Sequence, residues 1–177
     1  MTRARAVSIL SAPDYQLMRR VNRWRAPRWV RWWSIGATRA GDGWLWSLCG
    51  VALLASHDAD RYAAIVAGLL AAAMGIVVFR VLKKAVGRKR PCVHEPHCWA
   101  TLLPPDQFSF PSGHSISAFA VAVSLGYFYP PLLAGLLFCA ASIAISRILL
   151  GLHFLTDVLA GSALGVALGY SAALLIR

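Results

Sequence analysis

Charge is scarce in this 177-residue chain, and acidic charge is scarcest: seven Asp and Glu stand against 18 Lys and Arg, for a formal net charge of +11. Only 14% of residues are charged while 58% are hydrophobic, and the mean hydropathy is +0.59. That balance excludes the ordinary soluble domain and fits a small integral membrane protein of one compact unit. Cysteine is thin too. Cys49 and Cys139 sit inside apolar runs and read as packing residues. Cys92 and Cys98 flank the polar stretch Val93 to His97, where they can close a small disulfide loop in an oxidising compartment. A zinc site there is disfavoured, because Pro96 and the crowded spacing suit four ligands poorly. The N-terminus also lacks the compact apolar segment and small-residue cleavage site of a secretory signal.

What the chain has instead is long uncharged runs, at Gly43 to Ser56, Tyr62 to Phe79, Ser115 to Ser146 and Val158 to Ile176. The third is broken at Pro130-Pro131, since a helix cannot run through a proline pair undisturbed. The expected fold is therefore all-α, a polytopic transmembrane helix bundle of about five spans, near 42–57, 61–82, 114–129, 132–150 and 154–176. Connections between spans are short except for residues 83–113, the one loop with room for a site. In the last span Gly161, Gly165 and Gly169 recur every four residues, which predicts close helix packing along one face.

Residues 1–40 form a separate segment ahead of the membrane unit at 41–177. Arg3, Arg5, Arg19, Arg20, Arg23, Arg25, Arg28 and Arg31 are interleaved there with Trp24, Trp29, Trp32 and Trp33. A run of Arg alone would also suit nucleic acid. The tryptophans point to the headgroup layer, so the expected partner is the lipid bilayer, met by an N-terminal interfacial amphipathic helix, and not nucleic acid.

Three stretches put cations or histidine at the ends of apolar runs, where charge is costly and generally functional. In Lys83-Lys84-Ala85-Val86-Gly87-Arg88-Lys89-Arg90-Pro91, Arg90 suits forked contact with phosphate oxygens and Lys83 supplies a point charge. Arg80, Lys84, Arg88 and Lys89 read better as a snorkelling basic belt. In Pro111-Ser112-Gly113-His114, Ser112 can cap a helix while Gly113 lets backbone N–H groups approach an anion at the positive helix end. His114 then stands where an imidazolium can protonate a departing oxygen. In the third stretch, Ser146 to Asp157, Arg147 precedes His153 by six residues and Asp157 follows it by four. A helix begun by His153 would put it and Asp157 on one face, with the carboxylate orienting the ring for attack. A buried, satisfied His–Asp pair without chemistry fits the same spacing.

Taken in order, Lys83 through Arg90-Pro91, Pro111 through His114, and Ser146-Arg147 through His153 and Asp157 resemble the three-part signature of the type 2 phosphatidic acid phosphatase (PAP2) superfamily, without a gap or substitution at the signature positions. Thr38 to Trp44 is similar to the lead into the first core helix of bacterial members, so the resemblance runs over roughly residues 38 to 165. It implies a metal-free, cofactor-free phosphatase with a phosphohistidine intermediate. By the family pattern His153 is the nucleophile, Asp157 orients it, and His114 is the acid and then the base. Lys83, Arg90, Ser112, Gly113 and Arg147 bind the phosphoryl oxygens.

The expected substrate is a membrane lipid phosphate or diphosphate, with undecaprenyl diphosphate preferred by family analogy and phosphatidic acid, phosphatidylglycerol phosphate or lipid A phosphate as other headgroups. A phosphotransferase using another lipid or sugar as acceptor, and a non-catalytic lipid-phosphate-binding scaffold, are the competing readings. Retention of His114, His153 and Asp157 together counts against the scaffold. The expected location is a bacterial inner membrane. The excess of Lys and Arg favours a cytoplasmic site, whereas the cysteine pair and the resemblance to bacterial lipid phosphatases favour the periplasmic face, which is the reading adopted.

Overall fold

The structure, a computed structural model, describes residues 3–91 and 107–177, with side chains from residue 12 onward. Cys92, Cys98 and the disulfide expected between them lie outside the described residues. The described chain runs through α1 (Arg3–Arg23), α2 (Arg28–Arg39), a π-helical turn (Ala40–Trp44), α3 (Leu45–Ala55), α4 (Arg61–Val86), α5 (Gly113–Phe128), a 3-10 turn (Pro130–Leu132), α6 (Leu133–Leu149) and α7 (Leu155–Ile176). This is the expected all-α bundle. Among the described residues, three stretches are long and apolar enough to cross a bilayer: α4, Pro130–Leu149 and α7. The spans expected near 114–129 and 42–57 form shorter helices, of 16 residues in α5 and 11 in α3. The chain breaks where the prolines predict, because Tyr129 is forced out of the helical region (φ −124°, ψ 72°) by the proline that follows it.

α5 is the central helix, packed against α4, α6 and α7. Ile116, Ala118, Ala120 and Ala122 are buried along it, while Leu69, Val77, Phe138 and Leu175 on the outer helices are exposed, as lipid-facing side chains would be. Lipid gives the helices no hydrophobic reason to associate, so backbone proximity does the work. A methyl added at Gly161 would lie 2.7 Å from the Ser112 carbonyl oxygen, and one at Gly165 would lie 2.5 Å from that of Ile116. Gly169 meets the Ala120 backbone in the same way. At the top of this seam the Ser112 N–H donates to the Asp157 carbonyl at 3.0 Å, tying the start of α5 to the start of α7.

The N-terminal helices dock at that same end. α2 buries Val30, Ser34 and Thr38 on one face, and the Thr38 and Ser146 hydroxyls meet at 2.7 Å between α2 and α6. Ala26 and Val30 join Leu150 and Leu152, beneath the connection that carries His153, in a small core. The opposite face shows Trp29 and Trp32, each 72% exposed. That division makes α2 amphipathic.

Gly165→Val should lower the melting temperature in detergent markedly, because overpacking against backbone costs about 1–3 kcal/mol or more. Gly135→Val, at a position with nothing within 4 Å, serves as the control and should melt near the parent. Equal melting of the two variants would contradict the seam.

Candidate active site

Five pieces of chain end together at one pole of the bundle. α4 closes on Gly87, whose left-handed backbone (φ 64°) turns the chain back so that Arg88 and Arg90 face inward. The returning segment at 107–112 meets this turn through an isolated antiparallel bridge between Lys89 and Phe108, with the Ser109 N–H donating to the Arg88 carbonyl at 2.8 Å. α5 starts at Gly113, with Ser112 as its cap. α6 carries Arg147 in its last turn, and the connection to α7 brings His153.

A cavity of about 270 Å³ opens between them, lined by Gly41, Asp42, Phe79, Lys83, Arg90, Gly113, His114, Ser117, Arg147 and His153. Six of the eight residues singled out from the sequence therefore border one space: Lys83, Arg90, Gly113, His114, Arg147 and His153. Ser112 and Asp157 stand behind it, both fully buried. Ser112 is occupied as a helix cap, its hydroxyl oxygen accepting from the Ser115 hydroxyl at 2.9 Å and, at a long 3.4 Å, from the Ser115 N–H.

His153 is held by two contacts that fix its tautomer. The Ser109 carbonyl oxygen lies 2.7 Å from Nδ1 and can only accept, so Nδ1 carries the proton. Nε2 is then the lone-pair nitrogen, and it accepts from Arg90 Nη1 at 3.1 Å. The same guanidinium nitrogen donates to the Leu152 carbonyl at 2.8 Å. Burial, reinforced by the Arg90 and Arg147 cations and opposed by Asp157, pushes the His153 imidazole down to about 3, so it is a neutral base at ordinary pH. Asp157 sits 3.8 Å from Nδ1, beyond hydrogen-bond reach. Its Oδ2 accepts the Phe154 N–H at 2.8 Å, and Oδ1 accepts from Arg88 Nη1 at 2.7 Å. The ring is oriented by a backbone carbonyl, with the carboxylate one step removed.

His114 reaches the cavity from the first turn of α5, and its Nε2 meets Asp42 Oδ1 at 2.8 Å. Asp42 lies in the π-helical turn, where Gly43 takes φ 116°, a conformation open to glycine and strained for other residues. Lys83 holds its ammonium 5.2 Å from the Phe79 ring centroid, a cation–π contact beside the cavity. Sequence reasoning missed Asp42, Ser117, Phe79 and the Ser109 carbonyl. Of these, Asp42 had a signal, being an isolated carboxylate in a glycine-flanked break ahead of an apolar run. Arg88 is a further correction: it does not join a snorkelling belt but is 12% exposed and ion-paired to both Asp14 and Asp157.

The cavity continues into an apolar groove of about 380 Å³ between α3, α4 and α5, sharing Gly41, Asp42 and Ser117 and walled by Trp46, Ile65, Leu69, Ile76, Val121 and Leu125. Chemically, the pair of spaces offers cations and a neutral imidazole to an anion, with apolar walls for whatever is attached to it.

This pattern has known counterparts. The model of the PAP2 superfamily matches residues 62–177, and the chain belongs to that family. It is 37% identical over 102 residues to phosphatidylglycerophosphatase B of Bacillus subtilis, covering 50% of this chain and 46% of that protein. It is 34% identical over 128 residues to decaprenylphosphoryl-5-phosphoribose phosphatase of Mycobacterium tuberculosis, covering 72% and 68%. Lipid A 1-phosphatase of Rhizobium etli is 32% identical over 89 residues, covering 48% and 38%. The chain thus spans less than half the length of the first and third of these relatives. Among solved structures, the transmembrane PAP2 type phosphatidylglycerolphosphate phosphatase from Bacillus subtilis superposes with a TM-score of 0.73 at 28% identity, over 97% of this chain and 85% of that one. Aquifex aeolicus LpxE superposes with a TM-score of 0.74 at 26% identity, over 89% and 92%.

The neutral imidazole has a thermodynamic consequence. The unfolded chain protonates His153 near 6.5 and the folded one only near 3, so between these values the unfolded state binds more protons and stability falls as the pH falls. Thermal unfolding in detergent from about pH 7 to about pH 4 should show this loss, and His153→Gln should reduce its slope. Identical slopes would contradict a neutral buried ring.

Proposed function

We propose that the chain hydrolyses the phosphate ester or anhydride of a membrane lipid through a phosphohistidine at His153, without a metal. The observation that carries this reading is the single cavity bordered by both histidines and by Lys83, Arg90 and Arg147. A phosphoryl group in it would have its oxygens met by the three cations, which supply the charge stabilisation that phosphoryl transfer demands. Arg90 would exchange its hydrogen bond to Nε2 for one to a phosphoryl oxygen, freeing the lone pair. Nε2 then forms a bond to phosphorus as the bond to the leaving oxygen breaks, and His114 gives that oxygen its proton. In the second half His114 takes a proton from water, the water oxygen attacks phosphorus, and the P–N bond breaks to release phosphate and restore Nε2.

The adjoining apolar groove supports a lipid substrate, since a chain lying between α3, α4 and α5 would leave its headgroup at the cations. The names of the relatives are consistent in class: each acts on a phosphorylated lipid. Within that class we favour a polyprenyl diphosphate such as undecaprenyl diphosphate, whose single tail suits one apolar groove. We place the site on the outer face of a bacterial cytoplasmic membrane. The cations at this pole that would otherwise argue for the cytoplasm include Lys83, Arg90 and Arg147 around the cavity and Arg88 between two carboxylates. An impermeant thiol reagent on intact cells should label Lys89→Cys and spare Asp60→Cys in a cysteine-free background; the reverse would put the site inside.

Phosphate release from a panel of lipid phosphates tests the reaction itself. His153→Ala and His114→Ala should each lower it by about a thousandfold or more while melting near the parent. Arg147→Lys should lose about tenfold or more, because a point charge cannot replace a forked contact. Unchanged turnover in either histidine variant would refute the assignment.

A further inference from the structure

Arg88 is bound by several side chains behind the site, and it is not among the residues that line the cavity. Its Nη1 donates to Asp157 Oδ1 at 2.7 Å and to Thr156 Oγ1 at 2.8 Å, and its Nη2 donates to Asp14 Oδ2 at 2.7 Å. The guanidinium carbon stands 4.1 Å from the Phe154 ring centroid, so the group makes a cation–π contact as well as the bridge. Asp14 comes from α1, far away in sequence, and is 3% exposed. It does a second job: Oδ1 accepts the Thr156 N–H at 3.1 Å, and Oδ2 accepts the Thr156 hydroxyl. Thr156 lies in the first turn of α7, where backbone N–H groups lack intrahelical partners and negative charge is favoured.

An acidic residue in an Arg-rich surface helix thus ends up behind the catalytic loop. The chain of contacts is continuous from Asp14 to Arg88, to Asp157, and through the Asp157 bond to the Phe154 N–H into the residue next to His153. Two buried carboxylates share one cation, leaving a net negative charge behind the ring. That excess favours the positive charge that develops on the imidazole when Nε2 bonds to phosphorus.

We propose that Asp14 and Arg88 are positioning residues for phosphoryl transfer, so that α1, in the N-terminal basic segment, is a working part of the catalytic centre and not only a membrane-surface anchor. The inference rests on the phosphohistidine reading above. Arg88 holds Asp157 Oδ1 so that Oδ2 stays on the Phe154 N–H and the His153 loop keeps its path. Asp14 holds Arg88 in turn and keeps it from neutralising Asp157 fully. Removing the Asp14 charge would leave a one-to-one pair and a weaker field at the ring. Replacing Arg88 by lysine keeps a cation, yet one ammonium cannot reproduce the planar bridge to both carboxylates.

The test separates positioning from mere folding by counting working sites. The full-length protein in detergent is mixed with a polyprenyl diphosphate, the burst of phosphoenzyme is titrated, and the rate of its formation is expressed per titrated site. Asp14→Asn and Arg88→Lys should each slow phosphoenzyme formation per site by about tenfold or more, with KM changed much less. The double variant should be little slower than either single one, since both cut the same chain of contacts. Parent rates per titrated site in the two single variants would overturn the proposal, even if their yields or melting temperatures fell. Should either variant yield no titratable site, Asp14→Glu, which keeps the charge on a longer arm, is read on the same scale against the same parent rate. A parent protein that forms no phosphoenzyme at all would instead remove the reading on which the proposal rests.

Discussion

Gly161 lets the α7 backbone lie against Ser112 and Ser115 at the start of α5, and the site at that pole depends on this approach. With a side chain there, α7 would stand off, the Ser112 to Asp157 backbone bond would open, and the two histidine-bearing segments would no longer face one cavity. The same seam sets the depth of the site. α5 begins at the cavity and is short for a full crossing, so the cations gather at the end of the bundle and not in the hydrocarbon. An anionic headgroup can reach that level while its tail remains among apolar side chains.

Buried charge at this pole is organised in two layers with opposite tasks. The inner layer, Lys83, Arg90 and Arg147, faces the cavity and would receive phosphoryl oxygens. Behind it, Arg88 is enclosed by Asp14 and Asp157, an arrangement in which each buried ion has a partner at hydrogen-bond distance. His153 lies between the layers. Its Nδ1 is committed to the Ser109 carbonyl and its Nε2 points toward Arg90, so only one nitrogen is available to react. The hydrogen bond from Arg90 also keeps that lone pair engaged until a better acceptor for the guanidinium arrives.

Much of this was legible in the chain because its signals are local. A proline pair ends a helix wherever it occurs, a Ser before a Gly at the head of an apolar run caps it, and glycines four apart make a contact face. The spacing of the three motifs likewise announced which cations and histidines would converge. What escaped was carried by contacts that leave no mark nearby. Arg88 looks like one more belt cation because its partner Asp14 lies on another helix. Ser109 acts through its carbonyl, which every residue possesses, so nothing in its identity advertises the bond to His153. For Asp157 the four-residue spacing put the carboxylate near the ring, yet its oxygens go to the Phe154 N–H and Arg88, because Phe154 and not His153 is the cap of α7. Spacing gave proximity, and hydrogen-bond competition decided the partner.

The central claim is that one particular nitrogen, Nε2 of His153, takes the phosphoryl group. The most direct measurement is to trap the intermediate with a lipid diphosphate under alkaline quench, digest the protein and determine which residue and which ring nitrogen carry phosphate. The account predicts phosphate on Nε2 of His153. Phosphate on Nδ1 of His153, on His114, or on no histidine while turnover continues, would contradict it.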